Sequence, residues 1–310
     1  MTRKAAVIGI GHVGAHSASV LAMQGIVDEI ILLDKNQQKV DSEVQDLRDA
    51  LLMTPYAVKI HGGDYPDLKD VDVIIHSVGD IELLRKSRDR IDELKFNTPR
   101  ARETARKIRE SGFHGILINI SNPCDVITSV LAEETGLPEG HVFGTGTALD
   151  SSRLVSALAE KYGISRKSIT AYMMGEHGNR QFAPKSIASF AGEPIDNIAG
   201  ENLNWKELEK EAIGGGWVTF AGKFCTEYGI AATAARLAQA VLRDEHLISA
   251  VSAGLCGEYG QKDVFAGVPA IIGKEGVERI LQLPLTEEEL QEFDACCGTI
   301  RTNMETARTL

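Results

Sequence analysis

A short apolar segment that runs directly into three closely spaced glycines and then into a helix-forming stretch leaves few folds open. Ala5–Ile8 is such a segment, followed by Gly9-Ile10-Gly11-His12-Val13-Gly14 and by a helical pattern from about Val13 to Gly25. In this context the first glycine permits a tight turn, the second lets the backbone approach a pyrophosphate, and the third closes the helix onto the strand. Val- and Ile-rich runs recur at Glu29–Leu33, Val71–Val78, Gly115–Ile120 and His141–Gly144, with helix-period stretches between them. Such runs read as strands buried on both faces, and their alternation with helices calls for a parallel sheet with crossover connections.

The expected fold class is α/β: a Rossmann doubly wound parallel sheet in the order 3-2-1-4-5-6, followed by a second, α+β substrate and catalytic domain. We place the boundary after the strand ending near Gly144-Thr145-Gly146, giving residues 1–145 and 146–310. There Thr147, three before Asp150, resembles a capping box opening a helix from Asp150 to Tyr162, which Gly163 closes. Further helices are expected over Trp205–Ile213, Ile230–Arg243 and Thr286–Arg308, the last opening on Thr286-Glu287-Glu288-Glu289. Ile164–Met174, Pro184–Ala191 and His246–Cys256 read as strands or mixed elements.

At 310 residues with a formal charge of −11, the chain has room for a large core but no basic face for neutralising phosphates, so nucleic acid is not an expected partner. No apolar run approaches the ~18 residues of a membrane span, and no membrane partner is expected. The five cysteines are an odd number with no Cys-x-x-Cys pair. They read as reduced thiols in the cytoplasm, with neither disulfide nor metal site.

Asp34 ends the second strand, 20 residues beyond Gly14. A carboxylate there accepts hydrogen bonds from ribose hydroxyls and repels a 2′-phosphate, which points to NAD as the cofactor. The chemistry-bearing residues lie further on. His177 stands in Met174-Gly175-Glu176-His177-Gly178-Asn179, and Asp150 and Arg153 stand three apart in Leu149-Asp150-Ser151-Ser152-Arg153. On a helix those two share a face, so the carboxylate can orient an imidazole while the guanidinium grips a substrate carboxylate with paired hydrogen bonds.

Taken with Ser121-Asn122-Pro123-Cys124-Asp125, these motifs resemble the L-lactate/L-malate dehydrogenase superfamily over essentially the whole chain. The run Gly222–Ala231 looks closest to L-2-hydroxyisocaproate dehydrogenase, with L-lactate dehydrogenase next. The resemblance implies an NAD-dependent L-2-hydroxyacid dehydrogenase that acts on a small 2-oxo or 2-hydroxy acid and assembles as a homotetramer or homodimer. It makes His177 the acid/base, Asp150 its orienting partner and Arg153 the carboxylate clamp, with Asn122 and Thr226 in the pocket. Arg90 is the expected carbonyl-polarising arginine, because Arg90 to Asn97 keeps the family spacing. Gly9, Gly11, His12, Val13, Gly14, Asp34, Gly79, Asn97 and Asn122 are the implied cofactor contacts.

Between Gly79 and Arg90 the chain is two residues longer than the lactate dehydrogenase pattern. Counting back from Arg90 puts Leu84 at the specificity position, and counting forward from Gly79 puts Glu82 there. Neither offers an arginine for a second carboxylate, which disfavours malate. The leucines favour a branched or longer apolar side chain such as that of 2-oxoisocaproate, with pyruvate as the alternative. A non-catalytic NAD-binding regulator is the contrasting reading, and the combination of imidazole, carboxylate and arginines speaks against it. Val155 and Thr170 occupy the positions where fructose 1,6-bisphosphate-responsive relatives carry cationic groups, so no activation by that sugar is expected.

Overall fold

The protein is described from a computed structural model covering residues 2–80, 90–199 and 203–310. Strands β1 (Lys4–Ile8), β2 (Glu29–Leu33), β3 (Lys59–Gly62), β4 (Val73–His76), β5 (Ile116–Asn119) and β6 (Val142–Gly144) pair in parallel in the order β3-β2-β1-β4-β5-β6. Alternating side chains point to opposite faces. Val7, Val73, Ile75 and Ile118 join one apolar cluster, whereas Ala6, Ile8, Ile74 and Leu117 join another. Helices α1 (His12–Met23) and α2 (Gln37–Leu51) cover the first face, and α3 (Arg90–Glu110) and α4 (Cys124–Thr135) pack chiefly on the second. Burial on both faces explains why these strands read as unbroken apolar runs.

The second half begins with α5 (Ala148–Tyr162) and the short strands β7 (Ile169–Thr170), β8 (Met174–Gly175), β9 (Gln181–Phe182), β10 (Ser189–Phe190) and β11 (Glu193–Pro194). Helices α6 (Ile195–Ala199), α7 (Trp205–Lys223) and α8 (Tyr228–Leu242) follow, then β12 (Leu247–Cys256), β13 (Lys262–Gly273), β14 (Gly276–Ile280) and the closing helix α9 (Glu287–Arg308). The main sheet does not stop at β6. Gly144 pairs antiparallel with Ser252 of β12, and the sheet runs on through β13 to β8 and β9. Strands β7, β10 and β11 form a separate small sheet. Among the described residues no helix is long and apolar enough to cross a membrane, and all five cysteines are free thiols.

Several local expectations give way to packing. Thr147 makes no capping hydrogen bond, and α5 starts at Ala148 rather than Asp150. The Thr147 hydroxyl is buried and donates instead to the Met173 carbonyl at 2.7 Å, which satisfies it in the neighbouring segment. Helix α7 does not end at Ile213 but runs through Gly214-Gly215-Gly216 to Lys223. Each glycine costs ~1 kcal/mol of helix propensity against alanine, and the helix tolerates them because it packs on α5, where Arg153 needs the room. A Cβ on Gly215 would lie 3.0 Å from Arg153 Cδ. The long strand β13 escapes sequence reading because Gly267 and Pro269 interrupt its apolar pattern. Edge strand β3 escapes because only Ile60 of its four residues is buried.

At the glycine turn the geometry is unforgiving. Gly9 has φ +86, and a Cβ on Gly14 would meet the Gly9 carbonyl oxygen at 2.0 Å. Backbone against backbone has no flexible end to yield. Gly14→Ala should therefore lower stability by at least ~2 kcal/mol and weaken dinucleotide binding, read by thermal denaturation and NADH titration. A variant of wild-type stability and affinity would contradict this close approach.

Candidate active site

The pocket forms where the parallel half of the sheet meets the second half. Helix α5 carries Asp150 and Arg153 on one face, and the turn after β8 carries His177. Asp150 is 1% exposed. Its Oδ2 lies 2.8 Å from His177 Nδ1, and its Oδ1 accepts a 2.7 Å hydrogen bond from Arg153 Nη1. Burial pushes this carboxyl upward, but the His177 charge and hydrogen bond, together with Arg153, hold it below its ordinary value. The three residues therefore converge as expected. With Asn122, Thr226 and Val13 they line a cavity of about 170 Å³, whose apolar walls include Ile213, Trp217 and Phe220.

A second cleft of about 500 Å³ is lined by Gly9, Gly11, Asp34 and Gly79. Gly11 caps α1 with extended backbone and no side-chain acceptor, and a Cβ there would point into open space. An uncapped helix start beside bare backbone is what an anionic pyrophosphate requires. Asp34 accepts from the Ile10 and Asn36 backbone N–H groups, both at 3.0 Å. Asn97 donates to the Asn122 carbonyl at 2.6 Å, while its own Oδ1 is buried without a partner among the described residues. The residues present thus fit a dinucleotide. His12 opens α1 with its exposed ring 3.9 Å from the Glu227 carboxylate, and Val13 lines the smaller cavity beside His177. Leu84 and the Arg90 side chain fall outside the described residues.

Comparison with known proteins agrees with this layout. Residues 3–144 match the NAD binding domain of lactate/malate dehydrogenase, and residues 147–310 match its alpha/beta C-terminal domain. The chain belongs to the lactate/malate dehydrogenase family. It is 38% identical to an L-lactate dehydrogenase of Fusobacterium nucleatum, over 99% of this chain and 98% of that protein. It is 37% identical to L-lactate dehydrogenase 3 of Bacillus thuringiensis over 98% of each. Among solved structures, the ligand-bound minor L-lactate dehydrogenase of Enterococcus mundtii superposes with a TM-score of 0.94 at 32% identity, over 98% of each chain. The chain is accordingly an NAD-dependent 2-hydroxyacid dehydrogenase.

The dehydrogenase also holds its pocket with residues that carry no obvious sequence signal. Asp125, buried at the start of α4, accepts the His177 backbone N–H at 2.8 Å and the Ser252 hydroxyl at 2.6 Å. It thereby ties the Asn122 turn, the His177 turn and β12 together. At the end of β4, His76 Nδ1 lies 3.0 Å from Asn119 Oδ1 and 3.2 Å from Ser121 Oγ. Burial pushes this imidazole down to about 4, so it braces the Asn122 turn as a neutral ring. Gln181 adds an amide that donates to the Gly178 carbonyl at 2.9 Å. The Asn-Pro-Cys-Asp run placed Asp125 near the site, but only the fold brings Ser252 and His177 to it.

Burial lifts the Asp125 carboxyl to about 6, against the hydrogen bonds from Ser252 and the His177 N–H. A carboxyl raised on folding favours the native state most when protonated, so its stabilising effect falls as pH rises from 3.8 to about 6. In Asp125→Asn that component of the pH–stability curve should vanish, as seen by denaturant unfolding across the range. The kcat should fall at the same time, because Asn matches only part of the acceptor set. An unchanged pH slope would refute the account.

Proposed function

We propose that this dehydrogenase interconverts pyruvate and L-lactate, with His177 as the acid/base. The observation that carries the reading is the shared Asp150 carboxylate, which orients an imidazole with one oxygen and an arginine with the other inside a small cavity. NAD, when bound, supplies or accepts the hydride. The protein residues do the rest. With Nδ1 held by Asp150, His177 exchanges its proton through Nε2 with the substrate oxygen, and Asp150 steadies the charged ring. Arg153 retains N–H groups beyond the one given to Asp150, and these clamp the substrate carboxylate.

Asn122 and Thr226 complete the polar lining, and Arg90 is assigned to polarising the carbonyl as charge develops on its oxygen. Gly9, Gly11, Gly14, Asp34, Gly79 and Asn97, with the backbone of His12 and Val13, are assigned to the cofactor. Residues 1–145 would then bind the dinucleotide and 146–310 the oxo acid, within a homo-oligomer of two or four copies.

Pyruvate is preferred because the relatives described above are named L-lactate dehydrogenases. One observation favours the branched 2-oxo acid as a second reading. Gly216 lines the cavity beside Arg153 without a side chain, and Ile213, Trp217 and Phe220 make its surroundings apolar. Each further methylene buried there could contribute ~0.8 kcal/mol. Malate lacks a described cation for its second carboxylate.

Relative kcat/KM for pyruvate, 2-oxoisocaproate and oxaloacetate should place pyruvate first; a higher value for 2-oxoisocaproate would select the second reading, and one for oxaloacetate would overturn both. His177→Asn should bind NADH normally while losing ~10²–10⁴-fold in turnover, and near-normal turnover would remove His177 from its assigned role.

A further inference from the structure

Strand β4 ends at His76, from which Ser77 and Val78 run on into the lining of the cofactor cleft. The His76 carbonyl accepts the Ile120 N–H at 2.9 Å, two residues before Asn122 in the substrate cavity. Its side chain is 1% exposed and reaches the same turn through Asn119, which is fully buried. Asn119 Nδ2 has three acceptors, the carbonyls of Ser121 at 3.1 Å and Cys124 at 3.2 Å and the Thr128 hydroxyl at 3.0 Å, so Oδ1 is the atom that faces His76. That oxygen also accepts the Ser121 N–H at 3.0 Å. His76 Nδ1 must therefore carry the ring proton and donate to Asn119 Oδ1 at 3.0 Å, with Ser121 Oγ at 3.2 Å. Nε2 is left as a bare acceptor, buried with no partner among the described residues.

A leucine would fill this place without stranding a polar atom, and burying an unmet acceptor costs stability. Packing alone gives no reason for a histidine here; the Nδ1–H does. We propose that His76 is a positioning residue for hydride transfer: by fixing the Asn119 amide with its Nδ1–H, it holds Asn122 at the angle that the substrate carbonyl requires. Asn119 grips the turn on both sides of Asn122, at Ser121 and at Cys124, so a tilt of its amide carries Asn122 with it. His76 lines neither cavity and acts only through this chain of hydrogen bonds. The role rests on Asn122 facing the oxo acid as proposed above, but not on which oxo acid is preferred. A wrong substrate order would show in the wild-type enzyme, before any substitution at position 76.

His76→Leu should lower the single-turnover rate of hydride transfer from NADH about tenfold, within what a slight misplacement near the reacting atoms can cost. The KM of the oxo acid and the Kd of NADH should stay within about twofold, and Tm should not fall. His76→Asn, whose amide nitrogen takes the place of Nδ1, should recover most of the rate. His76→Gln, whose amide nitrogen reaches the place of Nε2, should not, and this pair decides the matter alone if His76→Leu does not fold. In an Asn122→Ala background, His76→Leu or His76→Gln should change the rate less than about twofold, because the residue it positions is gone. Wild-type rates in His76→Leu and His76→Gln would overturn the proposal. So would a tenfold loss that persists in the Asn122→Ala background, or a His76→Asn enzyme no faster than His76→Gln.

Discussion

A single buried carboxylate organises this molecule's chemistry. Asp150 is removed from water by α5 and its neighbours, and an isolated charge at such a depth would be driven to protonate. It remains charged because a guanidinium and an imidazole meet it from different directions. Arg153 comes from the next turn of the same helix, and His177 comes from a turn after β8, 27 residues along the chain. The carboxylate is depressed on folding, so its contribution to stability is present above the ordinary carboxylate range and is lost as pH falls. The same interaction that keeps the charge tolerable also fixes the two groups that handle a 2-oxo acid.

That carboxylate could not serve without the continuous sheet. The pairing of β6 with β12 carries the parallel, dinucleotide-binding half straight into the antiparallel half, so one hydrogen-bonded sheet underlies both. Asp125 reinforces this junction by holding the His177 main chain and Ser252 of β12 from the start of α4. His177 is therefore fixed twice, by its backbone to one acid and by its ring to another. Val13, one residue short of the turn's last glycine, lines the substrate cavity and marks where the two halves meet.

Legibility followed the range of the interaction. The glycine turn and Asp34 were readable because each rests on contacts among residues near in sequence, and the runs of β1, β2, β4, β5 and β6 because burial on both faces leaves an unbroken apolar pattern. The capping box at Thr286 formed as its pattern implied, with both reciprocal hydrogen bonds in place. Thr147 carried a similar pattern and did otherwise, since its hydroxyl was buried against Met173. Gly214–Gly216 read as a helix end, yet α7 continues, with Arg153 in the space that a side chain on Gly215 would have filled. Strand β13 was lost behind Gly267 and Pro269, whose meaning depends on their partners Ser252 and Ala250 in β12.

Local chemistry, then, was determined by the chain alone: a turn that only glycine can make, an acid at a strand end, and an acid and an arginine one helical turn apart. These follow from covalent geometry and hydrogen-bonding capacity over a few residues. Which acids become buried, which of them meet His177, and how much open wall surrounds Arg153 were decided only by the folded arrangement. The reason is that desolvation, steric contact and shared hydrogen bonds act through space between segments whose separation along the chain carries no information about their distance.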